Sequence, residues 1–168
     1  QAAWWSVMAG ACGHTYGNNN IWQMWQPGRK PAIGANVPWY EALDHPGARQ
    51  MGLLRTFMEA NHFHKLVPDQ SLIVDGPIRG PAKIRAARAE DGSRIIVYTP
   101  RGQAFTLDQT KLNAIRSRQS WFDPRYGVSY AFRISPRDRD NQAFQTYTPP
   151  SSGRGQDWVL VFENDDKN

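Results

Sequence analysis

Residues 13–25 read GHTYGNNNIWQMW, and this stretch decides how the first part of the chain is interpreted. The segment GHTYG is short enough for a single β-strand. The segment NNNIWQMW then brings three asparagines and two tryptophans into a loop behind that strand. Loops at the carboxyl ends of the strands carry the active sites of (β/α) barrels. We therefore interpret residues 13–25 as a barrel strand followed by a loop of the catalytic face.

A helix is predicted before this strand, because residues 2–11 read AAWWSVMAGA and are apolar nearly all round. A helix without a polar face must be buried by its neighbours, so Trp4 and Trp5 are expected to be packing residues. A loop is predicted after the aromatic stretch, because residues 26–38 contain three prolines and two glycines.

The clearest helix is predicted over residues 44–61, DHPGARQMGLLRTFMEAN. Its apolar residues recur at helical spacing and form one stripe. Asp44 is expected to be the N-cap, and Pro46 lies where the first turn of a helix tolerates proline.

The periodicity of the sequence changes after Pro68, where short alternating segments separated by turns begin. Turn sequences include DGS at 91–93 and DPRYG at 123–127. The strand-like segments are 82–90, 94–100, 103–107, 114–122, 128–134, 142–150 and 157–164. About seven or eight strands at this spacing predict an antiparallel sandwich.

The predicted fold class is therefore α/β followed by all-β. Residues 1–66 are interpreted as the closing segment of a (β/α)8 barrel, and residues 67–168 as an antiparallel β-sandwich. One buried helix, one strand, a loop and one amphipathic helix cannot close a core alone. We therefore expect the earlier barrel strands to lie upstream of Gln1 or in another chain.

The aromatic stretch has the composition of a sugar-binding site. Indole faces stack on the apolar C–H faces of sugar rings, and amides, His and Tyr hydrogen-bond to the hydroxyl rim. The candidate substrate-binding residues are Trp22, His14, Tyr16, Asn18 and Trp25. For any one of them, an ordinary role in the core or in a turn remains the alternative.

Composition limits the other function classes. The net charge of +5 is spread over the whole chain and forms no basic tail, so nucleic-acid binding is disfavoured. The alternation of Lys83 and Arg85 with Ile84 and Ala86 is typical of an ordinary solvated sheet face. Cys12 is the only cysteine, which excludes an internal disulfide and a cysteine-based zinc site.

No membrane span, metal or cofactor is predicted. No apolar run is long enough to cross a bilayer. His62 and His64 form an H-x-H pair, but no third ligand lies near them in the sequence, which favours a structural or surface role. The acidic residues Glu41, Asp44, Glu59, Asp123, Asp165 and Asp166 all lie outside the aromatic cluster.

Several segments resemble the C-terminal part of the apiosidase-like glycoside hydrolases. They are AWWSVMAGACGHTYGNNNIWQMW (3–25), LDHPGARQMGLLR (43–55) and, in the sandwich, SWFDPRYG (120–127). In that family a (β/α)8 catalytic barrel precedes a β-sandwich labelled as collagen-binding. The resemblance implies hydrolysis of glycosidic bonds in polysaccharide, and an extracellular or periplasmic location with any signal upstream of this chain.

The resemblance also implies a retaining mechanism with two carboxylates, one acting as acid/base and one as nucleophile. In the family those acids end the fourth and seventh strands, so both are expected before Gln1, and the catalytic residues are unknown in this chain. Trp22 then becomes the best candidate for the aromatic floor under the sugar. His14, Tyr16, Asn18 and Trp25 become lesser contacts or supports.

A non-catalytic binding module is the alternative function. In that case the sandwich grips polysaccharide or matrix protein, and the first segment only docks it. Tyr126, Tyr130 and Tyr147 could supply an aromatic groove, but strand alternation is expected to bury some of them. A sandwich that merely packs on the barrel and stabilises it is the simpler expectation.

Overall fold

The computed structural model describes residues 1–112, 118–132 and 143–164. Four α-helices come first: α1 (Ala2–Met8), α2 (Asn19–Trp22), α3 (Trp39–Ala42) and α4 (Pro46–Ala60). Nine strands follow: β1 (Leu66–Pro68), β2 (Ile73–Asp75), β3 (Arg85–Ala89), β4 (Arg94–Thr99), β5 (Phe105–Asp108), β6 (Arg118–Asp123), β7 (Val128–Phe132), β8 (Phe144–Tyr147) and β9 (Trp158–Glu163). Short 3-10 helices span Phe63–Lys65, Gln70–Leu72, Gly80–Ala82 and Gln109–Leu112.

The strands form two antiparallel sheets. The larger sheet has the order β1-β3-β4-β9-β6-β7, and the smaller has the order β2-β5-β8. Their facing sides enclose one apolar core, to which alternate residues of the central strands contribute, among them Ile95, Val97, Leu160 and Phe162. The predicted β-sandwich is confirmed.

The opposite side of the larger sheet is also buried, because α1 and α4 pack on it. Trp4 of α1 stacks on Tyr98 of β4 with ring centroids 5.5 Å apart, and Phe57 of α4 meets Phe122 of β6 at 4.5 Å. These side chains belong to a second apolar cluster, distinct from the core between the sheets. The apolar helix predicted near the start of the chain is thus buried against the larger sheet of the sandwich. Trp4, for example, is 3% exposed.

This packing overturns the prediction of a solvated face on β3. Ile84 and Ala86 do face the core between the sheets, as expected. On the other face, however, Ala87 is buried beneath the helices, and Arg85 is only partly exposed. Both faces of this strand are covered. The smaller sheet covers one face, and α1 lies over the face that the sequence pattern assigns to solvent.

One local prediction about the first segment is wrong, and another stays a prediction. Residues 13–17 pair with no strand among the described residues, so the predicted barrel strand depends on barrel strands outside this chain. The residues predicted as a loop after it contain α2, one helical turn that begins at Asn19.

The long helix is confirmed, but its cap is not the one predicted. Pro46 is the first residue of α4, as expected. The N-cap position is occupied by His45 rather than Asp44, and no side chain caps the helix. Proline at the first position has no N–H, so the first turn of α4 has one fewer backbone donor without a partner.

The seven predicted strand segments correspond to β3–β9, and the two three-residue strands β1 and β2 are additional. The turns at 91–93 and 123–127 are also confirmed, with Gly92 and Gly127 in the left-handed region at φ 74° and 73°. Parts of three predicted strands, as well as Asp165 and Asp166, lie outside the described residues. None of the helices in the described part of the chain is both long and apolar enough to cross a bilayer.

Candidate functional site

The three asparagines of the aromatic stretch each have a different partner. Asn18 is the N-cap of α2, because its Oδ1 accepts a hydrogen bond of 3.0 Å from the backbone N–H of Asn20. The same Oδ1 accepts from the side-chain amide of Asn20 at 3.0 Å. This cap starts the single helical turn that carries Trp22.

Asn20 joins α2 to the long loop that follows, and the sequence did not single it out as a site residue. Its Oδ1 accepts hydrogen bonds from the backbone N–H groups of Asn36 at 3.0 Å and Val37 at 3.2 Å. The side chain is buried, with 9% exposure. A buried amide satisfied on both sides fixes the loop in place. The run of three asparagines was the only signal in the sequence that pointed to it.

Asn19 holds the indole of Trp22. Its Oδ1 accepts the hydrogen bond of the Trp22 Nε1–H at 2.9 Å. Trp22 is nevertheless 57% exposed. The one polar atom of the indole is therefore satisfied within the protein, while much of the ring remains open to a ligand.

Trp25 has mainly a structural role. Its Nε1–H donates to the carbonyl of Arg29 at 3.0 Å, and its own carbonyl accepts from the backbone N–H of Trp39 at 2.8 Å. Both bonds tie turns of the 26–38 loop together, and the side chain is partly buried. The structure thus separates Trp22, which faces outward, from Trp25, which holds the loop.

Tyr16, Asn18 and His45 form a small polar network. The Asn18 Nδ2 donates to the Tyr16 hydroxyl oxygen at 3.4 Å and lies 3.2 Å from His45 Nδ1. Because the cap assigns Oδ1 of Asn18 to α2, the amide nitrogen must face His45, whose Nδ1 then accepts. The Tyr16 ring also packs on Gly47, where an added Cβ would lie 2.7 Å from its hydroxyl oxygen.

His14 lies apart from this network. It is exposed and lines a groove of about 480 Å³ between residues 12–16 and α4, together with Tyr16 and apolar side chains such as Met51 and Met58. Trp22 does not line this groove. The structure therefore places Tyr16 both in the network with Asn18 and in the groove with His14, whereas Trp22 lies outside that groove.

The aromatic segment contains no acidic residue of its own, since residues 10–38 have neither Asp nor Glu. Glu59, on the polar side of α4, is exposed and pairs with Arg55 at 2.8 Å. Asp123 is buried in a turn of the sandwich and pairs with Arg125. Among the described residues no group of three potential ligands could hold a metal ion, and both His62 and His64 are exposed.

A partly buried carboxyl with a displaced pKa, Asp157, lies in the sandwich. Burial raises the pKa of Asp157, and a hydrogen bond of 3.0 Å from the Tyr98 hydroxyl opposes part of that shift. Burial and the neighbouring Asp157 together raise the pKa of Tyr98 far above its usual range. Tyr98 stacks on Trp4, so this pair belongs to the contact between sheet and helices.

Large apolar side chains are exposed between residues 24 and 43. They are Met24, Ile33, Tyr40 and Leu43, and each is at least half exposed. Met24 also has a positive φ of 46°, which is uncommon for a residue with a side chain. Exposed apolar side chains and an uncommon backbone conformation are both typical of binding faces and of interfaces with further protein.

Two family descriptions match nearly the whole chain. Residues 1–65 match "Apiosidase-like, catalytic domain", and residues 67–163 match "Putative collagen-binding domain of a collagenase". The second match covers more than half of the chain.

Parts of two solved glycoside hydrolases have the same fold as this chain. A structure titled "Glycoside hydrolase" is 30% identical, with a TM-score of 0.86 over 99% of this chain and 36% of its own. A family 5 glycoside hydrolase from Bacteroides vulgatus ATCC 8482 is 27% identical, with a TM-score of 0.83 over 99% of this chain and 35% of its own. The chain therefore spans about a third of the length of these two structures. No curated protein matches it.

Proposed function

We propose, since this chain belongs to the family of collagen-binding-type domains and its residues 1–65 match an apiosidase-like catalytic domain, that it is the C-terminal part of a glycoside hydrolase. The whole protein would hydrolyse glycosidic bonds in polysaccharide. Residues 1–66 would complete its (β/α)8 barrel, and residues 67–168 would form the accessory sandwich.

The observation that carries this proposal is the exposed indole of Trp22. Its N–H is bonded to Asn19 at 2.9 Å, and 57% of the residue is exposed. A ring held in this way offers an apolar face without an unsatisfied polar atom, which suits the C–H face of a sugar. We assign Trp22 as the stacking residue under the substrate.

The other candidate residues would have lesser roles. Tyr16 and Asn18 would support the α2 turn and offer hydroxyl and amide groups to sugar hydroxyls, since both are at least partly exposed. Trp25 would hold the 26–38 loop through its bond to Arg29. His14 would contact substrate only at the edge of the cleft.

We infer a retaining mechanism in which both carboxylates lie on barrel strands outside this chain. The absence of Asp and Glu from residues 10–38 supports this placement. In the whole protein the two carboxyl groups would lie about 5–5.5 Å apart near Trp22, as retaining glycosidases require. Proton NMR of the first product formed would show retained anomeric configuration, and inverted configuration would contradict the mechanism.

The sandwich would stabilise the barrel, because the second apolar cluster joins its larger sheet to α1 and α4. Polysaccharide substrates lie outside cells, so we also infer an extracellular or periplasmic location.

The substitution W22A in the full-length protein tests the stacking role. We expect kcat/KM on the polysaccharide that the unmodified enzyme cleaves to fall by about thirtyfold or more, as for a central aromatic contact. W22F keeps an aromatic face and should retain most activity. N19A removes the hydrogen bond that holds the indole and should lower kcat/KM by less than W22A does. Unchanged kcat/KM in W22A would refute the assignment.

A further inference from the structure

One residue of the segment SWFDPRYG at 120–127, Tyr126, belongs to neither apolar cluster. Trp121 and Phe122 are buried in the two apolar clusters, at 6% and 7% exposure. Asp123 is buried at 3% and organises the turn that follows. Tyr126, by contrast, is 73% exposed, although it lies at the centre of this structured turn.

The turn itself is rigidly built. Asp123 accepts two hydrogen bonds from the guanidinium of Arg125, at 2.8 Å from Nε and 2.6 Å from Nη2, and a third from the Arg125 backbone N–H at 2.9 Å. The remaining nitrogen of Arg125, Nη1, donates to Gln156 Oε1 and to the carbonyl of Gly155. All three guanidinium nitrogens are therefore occupied within the protein, and Arg125 offers no free cation.

The turn also lies against the first part of the chain. Gly127 has a φ of 73°, and a Cβ added there would lie 2.6 Å from Cδ2 of Leu53 in α4. The position of Tyr126 is thus set by the contact between sandwich and helix, in addition to the Asp123–Arg125 pair.

Tyr126 and Tyr130 are linked through Arg125 and Trp158. The Arg125 guanidinium lies 5.6 Å from the Tyr126 ring and 5.1 Å from the Trp158 ring. Tyr130, which is 50% exposed, meets the same Trp158 with ring centroids 5.9 Å apart. The two exposed rings are therefore connected through the guanidinium of Arg125 and the buried ring of Trp158. We call Tyr126 and Tyr130 the tyrosine platform.

We propose that the tyrosine platform binds a short stretch of neutral polysaccharide, separately from the proposed substrate contact at Trp22. Two supported aromatic rings offer apolar faces for sugar C–H groups, and their hydroxyls can bond to the rim of the sugar. The neutralised Arg125 disfavours an anionic ligand. The choice of a sugar among neutral ligands rests on the proposed function, since the platform would hold substrate for the same enzyme.

The platform does not extend into the long aromatic groove that a collagen triple helix would need. Tyr147, the third tyrosine considered from the sequence, is 2% exposed and stacks on Phe105 inside the sandwich. The two exposed rings alone can contact only a short stretch of a ligand. The test must therefore also be able to detect binding of collagen.

Calorimetric titration of the full-length protein tests the proposal. The probes are neutral oligosaccharides of four to six glucose, mannose, xylose or galactose units, and soluble collagen in a parallel titration. We expect at least one oligosaccharide to bind, and we expect Y126A and Y130A each to weaken that binding by about tenfold. Tyr126 is exposed, so Y126A should not affect folding, whereas Y130A removes a half-exposed ring that contacts Trp158 and is checked by its melting temperature. F144A removes another exposed aromatic side chain of the sandwich and should leave binding unchanged.

The same titrations in a W22A background separate the two sites. Binding that survives W22A and is lost in Y126A supports the platform. If W22A abolishes catalysis while binding to the tyrosine platform persists, both proposals are supported. If W22A leaves catalysis unchanged, only the proposed role of Trp22 is refuted. The platform is refuted if no oligosaccharide binds, if Y126A leaves binding unchanged, or if only collagen binding responds to Y126A.

Discussion

The substitution W4A tests whether the first segment and the sandwich form one cooperative unit. Trp4 is 3% exposed, stacks on Tyr98 at 5.5 Å and meets the edge of Phe57 at 5.1 Å. Its side chain thus contacts both the sheet and α4, so its loss removes contacts that hold the two segments together.

The expected cost follows from burial. About 200 Å² of buried aromatic surface at about 25 cal/mol per Å² gives an upper value of about 5 kcal/mol. Core substitutions of Trp or Phe by Ala cost about 3–5 kcal/mol. We therefore expect W4A to lower the free energy of unfolding of the chain by about 3–5 kcal/mol.

The assay is guanidinium unfolding of the 168-residue chain, followed both by tryptophan fluorescence and by far-ultraviolet circular dichroism. We expect one transition with both probes, at a lower midpoint in W4A. W22A replaces a tryptophan that is 57% exposed and should change the free energy by less than about 0.5 kcal/mol. A loss below about 1 kcal/mol in W4A, or a sandwich transition that W4A does not move, would refute the reasoning.

Three further substitutions test other parts of the structure. N20A leaves the backbone N–H groups of the 26–38 loop without their acceptor, so we expect a loss of about 1–3 kcal/mol and faster proteolysis within that loop, measured by mass spectrometry. N18A removes the α2 cap and should cost about 1 kcal/mol in thermal unfolding, whereas N18D keeps the acceptor and should cost less. D157N should reduce the pH dependence of stability. Because burial raises the pKa of Asp157 in the folded chain, the stability that this carboxyl contributes is fully present below its unfolded pKa. That stability is lost as the pH rises through the folded pKa. The melting temperature of D157N should therefore rise relative to that of the unmodified chain between pH 4 and pH 7. If the difference between the two melting temperatures stayed constant over this range, the raised pKa of Asp157 would be contradicted.

Local patterns in the sequence were sufficient for most of the elements. The strands β3–β9 were predictable because their turns contain residues that favour them, such as Gly92 and Gly127, and because their apolar residues alternate. The long helix α4 was predictable from its period. The burial of Trp4 was predictable because an apolar helix needs cover on all sides.

Predictions that needed a distant partner failed or stayed open. The segment at 13–17 has the composition of a strand, but a strand forms only where another strand accepts and donates its hydrogen bonds. The apparent solvent face of β3 is covered by α1, a contact between residues about eighty positions apart, as the bond from Trp5 Nε1 to the carbonyl of Lys83 shows.

The residue types of the candidate site were evident from the sequence alone, because Trp, Tyr, His and Asn suit sugar binding wherever they lie together. Only the tertiary structure distinguished Trp22, whose ring is open, from Trp25, which holds a loop. It also assigned a separate partner to each of the three asparagines. The physical reason is that composition determines which contacts a side chain can make, whereas folding determines which groups are near enough to make them.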